Sequence, residues 1–277
     1  MRNFFRFGLV SLALLALGAG CQTTQPTGPA VFPQAVTDAP VVTSTPAARL
    51  PDGMDLRTAT YNDGRIVRLA VAALSSDKWE WHLANDPTQP KNVQDWHDAL
   101  KAGLVVNGTY FSEDFKPSGY YHLPATTTTG IAWPDSSIQN DIAGYTGMIR
   151  VRDGKLSLAY LPDAYQTKPN DQDAVALTFP TLVDHGQPTV TTDSGKFGRR
   201  TVLAQDADGK SYAIATQDGV MSLYEISQWL ASQPEHFSMA VNLDGGQSTG
   251  MSYEKDGNKF DIPSVQVPNV VWAKLKP

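Results

Sequence analysis

Apolar and polar positions alternate in short blocks along most of this chain. Arg65-Ile-Val-Arg-Leu-Ala-Val71 mixes β-branched residues in near alternation and predicts a strand. Leu104 to Phe111 predicts a buried strand running into Asn107-Gly108, and Met239-Ala-Val-Asn-Leu243 another, broken by Asp244-Gly245-Gly246. Val265 to Lys274 predicts a last strand, interrupted at Pro268-Asn269. Two stretches, Met148 to Tyr160 and Thr201 to Thr216, alternate around Asp153-Gly154 and Asp208-Gly209, which are hairpin signals. Helical spacing is rarer. Val93, Trp96 and Leu100 fall on one face behind Asn92 as N-cap; Leu223, Ile226 and Leu230 do so behind the capping-box pattern Ser222-Leu-Tyr-Glu225. Hairpins outnumber crossover helices. The expected class is therefore α+β: a single domain with a mostly antiparallel or mixed β-sheet and a few packed helices.

The N-terminal stretch follows a different pattern. Arg2 and Arg6 precede the apolar run Phe7 to Leu17, which is short for a permanent span, and small residues follow. The single Cys of the chain comes next, in Leu17-Gly18-Ala19-Gly20-Cys21. The arrangement resembles the lipobox of bacterial lipoproteins, which implies acylation of Cys21 and attachment to a membrane there. Gln22 rather than Asp follows, so the same resemblance implies an outer-membrane lipoprotein facing the periplasm. Cys21 to Pro51 is rich in Thr and Pro with few charges, a composition that cannot offset its ordering entropy by burial. The expected organisation is a signal peptide over 1–20, an extended tether over 21–51 and a folded domain over 52–277.

Composition narrows the chemistry. Twenty-two Lys and Arg against 28 Asp and Glu give a net charge of -6 in 277 residues, a poor basis for nucleic-acid binding. One Cys excludes an internal disulfide and a cysteine-based zinc site. The five His include no pair at the one-turn spacing of a helical metal site. Nothing demands a cofactor, although a carboxylate such as Asp244 suits a hard cation.

The candidate chemistry lies in polar residues set into apolar strands. Asn107 follows Leu104-Val105-Val106, Asn242 follows Ala240-Val241, and each precedes glycine: Gly108, and Gly245-Gly246. A buried amide needs partners, which a site, a ligand or a simple turn can supply. Arg199-Arg200-Thr201 opens the strand Val202-Leu203-Ala204, placing a guanidinium where it grips an anion or merely blunts an edge. Asp244 is either a rigidly held reactive carboxylate or a turn aspartate. Gly246-Gln-Ser-Thr-Gly250 fits the G-x-S-x-G elbow of serine hydrolases, but no helix pattern follows and no His lies beyond His236.

Together these segments resemble the phosphodiester glycosidase family. Its N-G-x-F-F motif matches Asn107-Gly-Thr-Tyr-Phe111, and its small-Pro-x-Leu-Val segment matches Phe179-Pro-Thr-Leu-Val183. Its Arg-Thr strand matches Arg200-Thr201, its N-L-D-G-G-G-S motif matches Asn242-Leu-Asp-Gly-Gly-Gln-Ser248, and its V-P-N ending matches Val267-Pro-Asn269. Gln247 replaces a glycine, Phe179 a small residue, and Tyr110 an aromatic without a hydroxyl; Tyr120 to Asp141 has no counterpart. The resemblance implies cleavage between a sugar's anomeric carbon and a phosphate oxygen, in a carbohydrate phosphodiester. It implies Arg200 as phosphate clamp with Arg199 behind it, Asp244 as base or nucleophile, and Asn107 and Asn242 orienting sugar hydroxyls. Thr201, Gly108, Gly245, Gly246, Ser248 and Thr249 would complete the substrate shell. A second carboxylate, if used, would be Glu113, Asp114 or Asp184. The competing expectation is a non-catalytic glycan-binding envelope lipoprotein with the same pocket and no turnover.

Overall fold

The computed structural model describes residues 49–126, 128–133, 144–166 and 168–277, all within one unit, Pro46–Pro277. The expected signal peptide, Cys21 and nearly all of the expected tether lie outside the described residues. In chain order the strands are β1 (Met54–Thr60), β2 (Ile66–Leu74), β3 (Trp79–Asn85), β4 (Leu104–Asn107), β5 (Tyr121–His122), β6 (Gly147–Arg152), β7 (Lys155–Tyr160) and β8 (Ala174–Thr178). They continue as β9 (Thr181–Asp184), β10 (Gln187–Pro188), β11 (Thr201–Asp206), β12 (Ser211–Asp218), β13 (Phe237–Asn242), β14 (Met251–Lys255), β15 (Asn258–Ile262) and β16 (Asn269–Leu275). Helices α1 (Val93–Leu100), α2 (Leu161–Ala164) and α3 (Leu223–Ala231) are few and short.

The strands form three sheets rather than the one expected. A seven-stranded sheet runs β1-β2-β12-β11-β13-β9-β10, a five-stranded sheet β15-β14-β4-β16-β3, and a four-stranded sheet β5-β8-β6-β7. Every pairing between these strands is antiparallel, so the mixed alternative falls away and β structure dominates the α+β class. Both expected hairpins form. Asp153 and Gly154 take positive φ of 50° and 71°, the geometry of a two-residue turn whose twist matches its strands. The Gly209 turn sits between β11 and β12, with Asp206 N–H bonded to Lys210 O at 3.1 Å. The strand expected from Leu104 to Phe111 stops at Asn107, and the last strand begins only at Asn269. The chain leaves the sheet after Asn107, where Gly108 turns to bond Asn269 O, while Val267 before Pro268 makes only a lone bridge to Lys91.

One central core draws on all three sheets: Leu74, Trp81, Leu104, Val106, Ile149, Ala176, Leu203, Ala215 and Val241 belong to it. Alternation then sends the next residues to the opposite face. Val202, Ile214 and Leu182 pack beneath Ile226 and Leu230 of α3, and Val105 and Val270 beneath Val93 and Trp96 of α1. Both helices start where the sequence indicates. Asn92 accepts from Asp95 N–H, and Ser222 and Glu225 form a reciprocal capping box.

Candidate active site

The end of β4, the entry to β11, the exit from β13 and the start of β16 are laced together by backbone bonds. Leu243 N–H donates to Thr201 O at 2.8 Å, Asp244 N–H to Gly108 O at 3.1 Å, Gly246 N–H to Arg199 O at 2.9 Å, and Gly108 N–H to Asn269 O at 2.9 Å. The structure thus brings together Asn107, Gly108, Arg199, Arg200, Thr201, Asn242, Asp244, Gly245 and Gly246, which lie far apart in sequence.

Asn107 is fully buried and both ends of its amide are occupied. Oδ1 accepts from Thr201 Oγ1 at 2.7 Å and from Gly250 N–H at 3.1 Å; Nδ2 donates to Asp244 O at 2.8 Å and Gly108 O at 3.4 Å. No capacity remains for a sugar hydroxyl. Asn107 is a strut that holds the Asp244 backbone, and Thr201, equally buried, holds Asn107 rather than substrate. Gly108 is buried, and a Cβ there would lie 1.9 Å from Asn269 Oδ1, so glycine lets the ends of β4 and β16 meet.

Asn242 differs. Its Nδ2 faces three oxygens: Tyr110 Oη at 2.6 Å, Leu243 O at 2.7 Å and Phe179 O at 3.1 Å. Its Oδ1 is buried without a donor. Phe179 precedes Pro180 through a cis peptide bond and carries the Tyr110 ring stacked on it at 4.2 Å.

Asp244 is half-buried, and burial pushes its carboxyl above the usual carboxylate range against the opposing pull of Ser248 and the Gly245 N–H. The Gly245 N–H donates to Asp244 Oδ1 at 2.8 Å, while the Gly246 N–H is taken by Arg199. Both N–H groups are thus engaged within the protein. A Cβ on Gly245 would lie 2.8 Å from Arg199 O, so glycine lets the two segments meet. Ser248 is buried against Asp244, and Thr249 is fully buried with Oγ1 unpaired.

Arg200 is anchored by backbone carbonyls, Nε to Met221 O at 2.9 Å and Nη2 to Lys196 O at 2.8 Å. Its Nη1 lies 3.7 Å from where a Cβ on Gly245 would sit, beside Asp244. Arg199 reaches Thr216 O at 3.4 Å and Pro263 O at 3.4–3.5 Å. Neither guanidinium makes an ion pair with a carboxylate among the described residues. Burial lowers the pKa of both below the usual guanidinium value, leaving two cations whose charge is free for an anion.

None of the three candidates for a second carboxylate makes a hydrogen bond or ion pair with Asp244, Arg199 or Arg200 among the described residues. Asp114 pairs with Lys116 at 2.6 Å in an exposed turn, and Glu113 is exposed beside it. Asp184 lies opposite Met239, three residues before Asn242 on β13. The elbow is absent as expected: a single 3-10 turn, Gly246–Ser248, leads into strand β14. Two residues of the cluster appear in the motifs without a role assigned to them. Asn269, buried at the head of β16, clamps Thr109 from both ends of its amide, and its signal was a polar residue opening an apolar run. Tyr110 showed only as a departure from a motif.

A family model described as phosphodiester glycosidase matches residues 100–273. Among solved structures, the catalytic domain of zebrafish N-acetylglucosamine-1-phosphodiester alpha-N-acetylglucosaminidase, auto-inhibited by pro-peptide, matches with a TM-score of 0.60 at 15% identity, covering 80% of this chain and 82% of that one. A hypothetical protein from Synechocystis matches with a TM-score of 0.51 at 13% identity, covering 81% of this chain and 62% of that one. At such identities the likeness is one of fold. No curated protein matches the sequence.

Proposed function

We propose that this protein hydrolyses the bond between a sugar's anomeric carbon and a phosphate oxygen, because the chain belongs to the phosphodiester glycosidase family and its site sets an unpaired guanidinium beside a half-buried carboxylate. The observation that carries the reading is Arg200. A half-buried cation held by two carbonyls and by no carboxylate among the described residues keeps its charge available, and an anion would complete it. Arg200 engages the phosphate. Phosphate departs readily as an anion, so a strong general acid is less necessary than in an ordinary glycosidase. Asp244, its backbone fixed by Asn107, serves as base or nucleophile at the sugar. By its name, the zebrafish relative acts on an N-acetylglucosamine 1-phosphodiester, which is the first substrate to test. We further place the protein in the bacterial envelope: signal peptide 1–20, lipid anchor at Cys21, tether 21–51, outer membrane facing the periplasm, with envelope or exopolysaccharide glycans as targets.

The test is release of free sugar from an aryl phosphodiester of N-acetylglucosamine and of other hexoses. Arg200→Ala should lower kcat/KM on the phosphodiester roughly tenfold to hundredfold, since a hydrogen bond to a charged group contributes ~1.5–3 kcal/mol and about 1.4 kcal/mol is a decade. A neutral nitrophenyl glycoside should suffer less. Saturable glycan binding without release from any phosphodiester would favour the non-catalytic envelope lipoprotein instead.

A further inference from the structure

Tyr110 sits where the site meets an aromatic wall. Its ring stacks on Phe179 with centroids 4.2 Å apart and planes 16° from parallel, and Tyr145 meets Phe179 edge-on at 5.4 Å. The Tyr110 oxygen accepts from Asn242 Nδ2 at 2.6 Å. The orientation of that amide is fixed by its surroundings: three oxygens ring one end, so that end carries the N–H groups. A phenol oxygen accepting an N–H must direct its own O–H elsewhere. Among the described residues Tyr110 donates to none.

The hydroxyl is also dispensable to the fold. Asn242 has two amide hydrogens, and Phe179 O and Leu243 O alone would satisfy both. A phenylalanine would keep the stack. What the hydroxyl adds is a free donor, half-buried, within the fields of both Asp244 and Arg200.

We propose that Tyr110 is a catalytic residue that donates its O–H, beside Arg200, to the phosphate oxygen leaving the sugar. This rests on the phosphodiester reading above. In the step, the C1–O bond breaks and its electron pair stays on the phosphate oxygen. Water supplies the oxygen that replaces it at C1, and the water's proton leaves by way of Asp244. Tyr110 keeps its proton throughout. Burial and the Asp244 charge both raise its pKa, so the phenol stays neutral, which suits a leaving group that needs a hydrogen bond and no proton.

Tyr110→Phe tests this. The melting temperature should not change, and kcat/KM on the aryl phosphodiester of N-acetylglucosamine should fall roughly tenfold to hundredfold, the range for a hydrogen bond to a charged group. The nitrophenyl glycoside should lose far less, and the acid limb of the pH–rate profile should stay in place. Equal losses on both substrates, or an acid limb that moves, would mean that Tyr110 acts through Asn242 or Asp244 and would overturn the proposal; so would no loss at all. A wild-type protein without turnover sinks the hydrolase reading alone. Calorimetry then decides for Tyr110: the variant should bind N-acetylglucosamine 1-phosphate more weakly and N-acetylglucosamine equally well, and equal affinity for the sugar phosphate overturns the donor role.

Discussion

Asp244 carries a cost in the free protein. Its carboxyl is raised above the usual range by burial, so in the interval between its unfolded and folded pKa the native state holds more proton than the unfolded one. Stability therefore falls as pH rises through that interval, and the ionised group strains the fold at neutral pH. Asp244→Asn removes the charge, keeps an oxygen to accept the Gly245 N–H, and should raise the melting temperature at pH 7. The gain should vanish once the pH drops below both pKa values, where wild-type Asp244 is protonated. Turnover should fall by about 10²–10⁴, the usual contribution of a positioned base. Thermal scans across pH together with kinetics check both halves; an active variant with unchanged melting would return Asp244 to the role of a turn residue. The sequence marked Asp244, Asn107 and Asn242 because polar side chains interrupt apolar runs. It did not reveal that Asn107 is saturated while Asn242 is not, because the partners Thr201, Gly250, Tyr110 and Phe179 come from distant segments.

At the scale of elements, the local signals were legible and the pairings were not. Asp153-Gly154, Asp208-Gly209 and the Ser222–Glu225 box act within a few residues, so sequence alone locates them. Strand β8 runs apolar on both faces, Ala174–Thr178 being wholly buried, and a continuous run carries no period to separate strand from helix. Nor does alternation say which sheet a strand joins. The site depends on that choice: β4 lies in the five-stranded sheet and β11 in the seven-stranded one, and the Asn107 side chain spans the two. Asn107→Ala leaves Thr201 Oγ1, Gly250 N–H and Asp244 O short of a partner. Each buried group so orphaned costs ~1–3 kcal/mol. Denaturant titration should show a marked drop in stability, and catalysis should fall with it as Asp244 loses its strut. A variant as stable as wild type would show that the two strand ends are held together by the backbone bonds alone.

For the whole molecule, the three sheets close on one core and helices cover two outer faces, which leaves the large exposed apolar side chains few: Leu56, Ile66, Phe197, Val220, Val265 and Leu275. No helix among the described residues is long and apolar enough to cross a membrane. The attachment we propose is the lipid anchor at Cys21. Acyl chains suffice, since each buried CH2 contributes ~0.8 kcal/mol and more than one chain gives stable anchoring. Cys21→Ser is the decisive variant, with one precaution. An unprocessed leader would retain the protein through Phe7 to Leu17, so residues 1–20 should be exchanged for an export signal cleaved after an Ala-x-Ala site. The variant should then leave the membrane fraction for the soluble periplasmic one, with its kinetic constants on a soluble phosphodiester unchanged, because every residue of the proposed site lies between Asn107 and Asn269. Continued sedimentation with membranes would mean that another surface holds the protein, and the lipoprotein reading would fall.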